Sequence, residues 1–446
     1  MEDFLTYVVT WNVATKFPQP KTDLKALLGL KAENHQSKYF KVPDLYIIGF
    51  QEVKAQPQNI LWDAIFEDPW IVKVKETLAP FGLVQIKTLR MQGLVTTLLL
   101  KRQHLTFLRD VEGLWTRRGL GGIWGNKGAI SIRINIHGCS FCFVNCHLAP
   151  HDHLLKERIE DYQNILSTQE FSYPETANIL YHDYVFWFGD LNFRLSGSKA
   201  ANEIAEIVSS NKWKDLITDD QLTQVMRRGE AFSELKEMEI TFPPTFKFDE
   251  ELDSYDVKRR PAWTDRILHQ VNTNAYDNVK LKAVGQSYQS HVYRISDHRP
   301  VSAIYTCSVF KPTIEKIVHF AEIPVWYVGE VNSIRFTVCP TYEIASEDWI
   351  ALYKADFTSL DDYVSYVYAP HGHPQRSASY RDLVQALDEL VGVNTPLPID
   401  HTVHFAENSV NFEGSYVLIY MSHSSRSVYA VSNSFEVVCG SPVHST

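Results

Sequence analysis

Short apolar runs recur along the whole chain, and its first 308 residues alternate them with stretches of helical spacing. YVVTWNV (7–13), LYIIGFQEV (45–53), LVTTLLL (94–100), AISIRINI (129–136), SFCFVNCHL (140–148) and DYVFWFGDLNF (183–193) are rich in β-branched and aromatic residues and are bounded by Gly, Pro or charge. That is the pattern of strands. Leu155, Ile159, Tyr162 and Leu166 repeat at helical spacing, and Thr218 with Gln221 predicts a capping box for a helix that Gly229 ends. Mixed elements with several antiparallel connections predict an α/β sandwich rather than a doubly wound parallel sheet. After KPT (311–313) the pattern becomes strands alone, in IRFTVCP, DWIALYK, DYVSYVYA, YVLIYMS and SVYAVSNSFEVV. This predicts a small antiparallel β-sandwich, interrupted by helical spacing from Tyr380 to Leu390. The expected domains are therefore 1–308 and 314–440, with a linker at 309–313.

Charge is unevenly divided between these pieces. Residues 309–446 hold 7 Lys and Arg against 16 Asp and Glu, a net of −9, while the first 308 hold 36 against 37. Neither piece has the basic surplus of a general nucleic-acid binder. No run reaches the ~18 apolar residues of a membrane-spanning helix, and the acidic MEDFLTYVV start lacks the basic residues of a signal peptide. Cys139, Cys142 and Cys146 beside His137 and His147 suggest a zinc cluster, but no second closely spaced cysteine pair completes it. Buried reduced thiols in a cytosolic protein are the expectation. GLGGIWGNKG (119–128) has neither the GK[ST] ending of a P-loop nor the GxGxxG spacing of a dinucleotide fold.

The polar residues at strand ends carry the chemistry. Asn12 follows VVTW, Glu52 follows LYIIGFQ, His147 ends SFCFVNC, Asp190 and Asn192 end DYVFWFG, and Asp297-His298 precede Pro300-Val301. A chain leaving a rigid sheet aims such side chains into a cleft. One carboxylate for a hard cation, one to orient water, two histidines and two amides make a set suited to metal-assisted hydrolysis of a phosphate ester.

WFGDLNFR (187–194) and RRPAWTDRI (259–267) resemble the paired signatures of the inositol polyphosphate 5-phosphatases. FQE (50–52), GNKG (125–128), NCHLAPH (145–151), FPPTFKFD (242–249) and SDHRPV (296–301) follow in that family's order, so the resemblance spans about residues 5–308. It implies a four-layer α/β sandwich of the endonuclease/exonuclease/phosphatase, DNase I-like, type. It implies Mg²⁺ held by Glu52 with Asn12 and Asp297, and Asp190 as the group that aims and deprotonates water. Asn192 and His147 would contact the phosphoryl group, and His298, its tautomer fixed by Asp265, would stabilise charge on it. Asn126 and Lys127 would lie near the phosphate that links ring to lipid. Lys247, Arg259 and Arg194 would bind substrate beside Phe246, where the family commonly has tyrosine. Lys258 would stand in for the lysine common at the place of Val257. Each lost charged hydrogen bond costs about 1.5–3 kcal/mol of recognition. A nuclease of the same superfamily would share Glu52, Asp190, Asn192, Asp297 and His298, but it would not need the PTFKF segment and would carry a basic face.

Trp124 and the segment Met91 to Val95 are expected as apolar tips beside the cleft, suited to a membrane interface. The last piece resembles the carboxy-homology (SKICH) domain of the skeletal-muscle-and-kidney-enriched inositol phosphatase type, which implies a targeting module. Its acidic balance favours a protein partner over an anionic leaflet. The expected protein is a monomer without a transmembrane segment, peripheral to membranes, acting on a phosphoinositide headgroup and not on nucleic acid.

Overall fold

The computed structural model describes residues 1–30, 41–54, 67–118, 127–311, 317–370 and 399–440. The expected helix at Tyr380 to Leu390, together with Trp124 and Asn126, lies outside these residues. Two compact units form: Met1–Arg102 with Glu112–Lys311, and Gln103–Val111 with Pro312–Thr446.

The first unit is built on two six-stranded sheets. One contains β1 (Glu2–Asn12), β2 (Leu45–Gln51), β3 (Leu83–Met91), β4 (Leu94–Lys101), β11 (Ala283–Ser290) and β12 (Val301–Val309), in the order β11-β12-β1-β2-β4-β3. The other contains β5 (Leu108–Arg118, of which Glu112–Arg118 belong to this unit), β6 (Lys127–Ile136), β7 (Cys139–His147), β8 (Tyr184–Asp190), β9 (Lys236–Glu237) and β10 (Asp265–Val271), in the order β5-β6-β7-β8-β10-β9. Both mix parallel and antiparallel pairs, as the antiparallel connections predict. Their strands read as continuous apolar runs because both faces are covered. Helix α1 (Pro69–Leu78) packs through Trp70, Ile71 and Val74 on the outer face of the first sheet, while α2 (Leu155–Thr168) packs through Tyr162 and Ile165 on the second. The layers are therefore helix, sheet, sheet, helix.

The facing sheets meet through Phe4 on Phe141 and Phe186 on Tyr305. Gln51 Nε2 crosses the same interface, donating to Asn145 Oδ1 at 2.7 Å. This tie stiffens the sheet ends from which Asn12, Glu52, His147 and Asp190 emerge. Helix α3 (Ala201–Ser209) precedes α4 (Gln221–Arg228), and Gly229 ends α4 at φ 71° as expected. The cap differs from the expected one. Asp220, not Thr218, accepts from Thr223 N at 2.8 Å, while Thr218 donates to Asp215 O. Asp220 also receives Arg266 Nη1 at 3.0 and 3.1 Å, and a charged cap held by a buried guanidinium outcompetes a hydroxyl.

Two histidines, His182 buried just before β8 and His269 partly buried on β10, carry a pH dependence. Burial pushes His182 and His269 each down to about 4, and His182 Nε2 accepts from Arg133 Nε at 3.2 Å. Folded protein binds fewer protons than unfolded chain between that value and the ordinary histidine range. Stability is then complete at neutral pH and falls as the solution is acidified toward pH 4, by on the order of 2–3 kcal/mol per residue at most. Urea midpoints of the full chain are expected to drop between pH 7 and 5, with a flatter slope in His182→Gln. An unchanged slope would contradict the assignment.

The described residues of the second unit are mainly β-strand, as the strand-only pattern predicts, with a 3₁₀ turn at Glu407–Ser409 and part of another at Arg102–Phe107. Strands β13 (Val318–Phe320), β15 (Asn332–Val338) and β18 (Ile399–Phe405) form one sheet. Strands β14 (Val325–Tyr327), β16 (Trp349–Lys354), β17 (Ser365–Tyr368), β19 (Gly414–Ser422), β20 (Ser427–Val431) and β21 (Phe435–Val438) form the other. Trp326, Phe336, Leu352, Phe405 and Leu418 are among the residues of one core between them.

Candidate active site

At the carboxyl end of β8 the sheet register places three chemical groups side by side. Asp190 lies opposite His147 of parallel β7 and opposite Asp265 of antiparallel β10. Gly189 makes this approach possible: its φ is 138°, and a Cβ there would stand 2.0 Å from Cys146 O. Asn192 follows in a left-handed conformation at φ 57°, which turns the chain back over the carboxylate.

Asp190 is buried and fully engaged. Its Oδ2 accepts from Asn12 Nδ2 at 3.0 Å, its Oδ1 from Asn192 N at 3.1 Å, and His147 Nε2 lies 3.3 Å from Oδ2. Burial opposes its ionisation. The His147 hydrogen bond and the charges of His147, His298 and Lys127 outweigh that cost and hold the carboxyl well below the usual range. His147 itself is pushed down, first by burial and then by Lys127, whose Nζ contacts its ring. The Nε2 of His147 thus sits between an ammonium and a carboxylate.

His298 stands on the opposite wall, 4.0 Å from Asp190 through Nε2. Its Nδ1 meets Asp265 Oδ2 at 3.0 Å, which puts the Nδ1 proton on the Asp265 side. Burial lowers the affinity of this ring for a proton, but the Asp265 charge and hydrogen bond, aided by Asp190 and Asp297, raise it to about 9. Thr245 and Thr264 hydroxyls fix Asp265 Oδ2 at 2.7 and 2.9 Å. Trp11 Nε1 donates to His298 O at 3.2 Å, and Ser296 Oγ donates to Asn12 O at 2.6 Å while accepting from His298 N. Sequence reasoning missed these supporting residues, although Thr245 and Thr264 lie inside the PPTFK and AWTDR motifs.

These walls enclose a cavity of about 200 Å³ lined by Glu52, Lys127, His147, His151, Asp190, Asn192, Arg194, Phe246, Lys247, Arg259, Asp297 and His298, among others. Backbone bonds zip its far side together: Ala262 N to Phe246 O, Arg299 N to Thr245 O and Phe248 N to Asp297 O, each at 2.9 Å. Lys247 Nζ lies 3.4 Å from Asp297 Oδ2. The Phe246 ring packs 4.5 Å from His298, with the Arg194 guanidinium 4.7 Å over its face. Arg194 is anchored by Asn192, donating to its O and its Oδ1, and Asn192 Nδ2 donates to Leu148 O.

Some expected residues fall elsewhere. Lys258 does not line the cavity, and Val257, 48 % exposed, lines a separate groove with Tyr255 and Arg299. Met91, Leu94 and Val95 are not apolar tips. They are at most 2 % exposed, and Met91 and Leu94 pack on Ile130, because the β3–β4 turn is made by Gln92-Gly93 alone and the apolar residues beside it already belong to the pleat. His151, at φ 68°, lines the cavity without having been singled out; NCHLAPH was its only signal.

Asp190, Asp265 and His298 place ligand-type atoms within 4.8 Å of one another. Asp265 is already satisfied by two hydroxyls and His298, so this trio is a hydrogen-bonded His–Asp pair beside a carboxylate rather than a metal cradle. An oxygen-rich set fits a hard cation better. Glu52, at φ 54°, holds a 41 % exposed carboxylate over the cavity, 3.8 Å from His147; Asp297 lines the same cavity, and Asn12 lies opposite Gln51 where β1 and β2 end.

Comparison with known proteins follows the division into units. Residues 9–304 match the model of endonuclease/exonuclease/phosphatase family 2, and residues 318–437 match the SKICH domain. The chain is 36 % identical to rat phosphatidylinositol 4,5-bisphosphate 5-phosphatase A over 446 residues, 97 % of this chain but 42 % of that protein. It is 32 % identical to mouse inositol polyphosphate 5-phosphatase K over 444 residues, which cover 97 % of this chain and 89 % of the relative. Among solved structures, the inositol polyphosphate 5-phosphatase domain of SPsynaptojanin, in complex with inositol (1,4)-bisphosphate and calcium, is 32 % identical. Its TM-score is 0.58, and the match covers 68 % of this chain and 84 % of that one. A Cimex nitrophorin, at 22 % identity and a TM-score of 0.54, shares the fold alone, so architecture does not decide the chemistry here.

Proposed function

This chain belongs to endonuclease/exonuclease/phosphatase family 2, among the inositol polyphosphate 5-phosphatases that carry a SKICH domain, and on that premise we propose that it hydrolyses the 5-phosphate of phosphoinositides with Mg²⁺. The observation that carries the reading is one cavity holding Glu52, His147, Asp190 and His298 against Lys247, Arg194 and Arg259: a hydrolytic set facing cations that suit a second ring phosphate. The relatives named as 4,5-bisphosphate 5-phosphatases and the inositol bisphosphate bound to the synaptojanin domain support the substrate class.

Glu52, with Asn12 and Asp297, would hold Mg²⁺, which supplies positive charge against the phosphoryl oxygens. Asp190, kept ionised by its neighbours, aims an attacking water and accepts its proton. His298, held as imidazolium by Asp265, faces the same space and stabilises the charge that spreads over the phosphoryl oxygens in the transition state. His147 and Lys127 close the near wall. Asn192 orients Asp190 through its backbone N–H and steadies Arg194. Lys247 and Arg259 bind the neighbouring ring phosphate, and Phe246 supplies an apolar floor without a hydroxyl donor.

The favoured substrates are the 4,5-bisphosphate and 3,4,5-trisphosphate lipids and soluble inositol polyphosphates, reached by a monomer working at the cytoplasmic face of membranes. No helix among the described residues is long and apolar enough to cross a membrane. The test is phosphate release from 4,5-bisphosphorylated inositol lipid with Mg²⁺ and with EDTA. Release with Mg²⁺ alone is expected; release that survives EDTA would sink the reading.

A further inference from the structure

Strands β16 and β17 alternate as a sandwich requires on one face only. Ile350 and Leu352 enter the core, with Val367 packed against it. Their outward neighbours would ordinarily be polar. Here they include Trp349 on β16 and Tyr366 and Tyr368 on β17, with Tyr363 just before β17, while Ala351 and Tyr353 of β16 are buried. Trp349 lies directly opposite Tyr368 in the register, which draws the aromatic side chains together.

The rings stand almost at right angles. Trp349 is 5.4 Å from Tyr363 at 76° and 5.5 Å from Tyr366 at 80°. Tyr366 is 5.7 Å from both Tyr363 and Tyr368, at 88° in each case. Together with Glu347 and His423 they line an open cavity of about 240 Å³. Glu347 Oε2 lies 2.9 Å from His423 Nε2. Tyr363, Tyr366 and Tyr368 remain 43, 47 and 61 % exposed, so packing of the core does not account for them.

We propose that this aromatic cage binds a cationic side chain of a protein partner, a lysine ammonium and above all its N-methylated form. Ring faces attract a cation electrostatically, several perpendicular rings can surround it, and a carboxylate at the rim matches its charge. Methylation keeps that charge while giving the head an apolar surface that the rings can desolvate. The complementarity extends beyond the cavity, because residues 309–446 carry a net −9. Among the described residues no Lys or Arg lines the cavity, so an anionic headgroup finds no lysine or arginine charge there, and the acidic surplus repels an anionic leaflet.

A dye-labelled peptide with one trimethyl-lysine, titrated with the full chain and followed by fluorescence anisotropy, tests the assignment. Binding is expected to weaken about tenfold in Tyr366→Ala, to weaken severalfold in Glu347→Gln, and to persist in Tyr366→Phe. Tetramethylammonium should compete, and a peptide carrying the uncharged tert-butyl isostere should bind much more weakly. Unchanged thermal melting of each variant shows that the fold is intact, and the nearly isosteric Glu347→Gln serves if Tyr366→Ala does not fold. Absence of peptide binding, equal binding of the isostere, or binding indifferent to both Tyr366→Ala and Glu347→Gln would overturn the proposal. Binding to phosphatidylcholine vesicles in place of the peptide would also overturn it, by assigning the cage to a lipid surface.

Discussion

Asp190→Asn is expected to lower kcat on a soluble inositol polyphosphate by about three orders of magnitude, with a smaller change in KM. The side chain is 1 % exposed, and both of its oxygens face donors: Asn12 Nδ2 and His147 on one side, Asn192 N on the other. An amide must turn its NH₂ toward one of these donors, so the substitution removes the proposed proton acceptor and misdirects a hydrogen bond at once. Part of the effect will appear as lost stability, about 1–3 kcal/mol for the unsatisfied contact. Rates should therefore be compared well below the melting temperature of the variant. A variant that folds and keeps more than a tenth of the wild-type kcat would remove Asp190 from the centre of the mechanism.

Asp265→Asn carries the second large effect, and it acts at one remove. Asp265 is fully buried, is fixed by Thr245 and Thr264, and faces the Nδ1 of His298. Its charge is the main reason that His298 keeps its proton up to about pH 9 despite burial. A raised value means that the imidazolium is present below that pH and is lost above it. Wild-type kcat should therefore decline on its alkaline side near pH 9. In Asp265→Asn the decline should move toward neutrality by at least about one pH unit, and the maximal rate should fall by about 10²–10³. An alkaline limb that stays in place would mean that His298 does not set it.

Much of the site was legible because its residues sit where strands end. Strand position follows from apolar patterning, so Asn12, Glu52, His147 and Asp190 could be placed at one rim of the sheets before any coordinates. The motif order then grouped Asp265, Lys247 and His298 with them. The supports were less visible. Thr245, Thr264, Ser296 and Trp11 act through single hydrogen bonds, and nothing in spacing separates such a hydroxyl or indole from a surface or core one. The misplaced residues have local causes. Thr218 lost the cap to Asp220 because a tertiary partner, Arg266, favours the charged residue. Met91, Leu94 and Val95 were read as a loop tip, although a two-residue turn leaves them in the pleated sheet. Lys258 is adjacent to the site in sequence only, since the loop that carries it turns Arg259 inward.

In the second unit the alternation predicts a sandwich, but in sequence its outward aromatic residues look like strand formers and not like a site. Aromatic residues have high strand propensity for reasons unrelated to binding. Only the register, which brings Trp349 beside Tyr366 and Tyr368, separates the two meanings.

The central claim concerns which ester is cut. Incubating the full chain with 4,5-bisphosphorylated inositol lipid and Mg²⁺, then identifying the ring product by its phosphate positions, addresses that claim directly. The account expects inorganic phosphate and a lipid phosphorylated at position 4 alone, with both products abolished by EDTA and by Asp190→Asn. A product phosphorylated at position 5, or release that survives EDTA or Asp190→Asn, would contradict it.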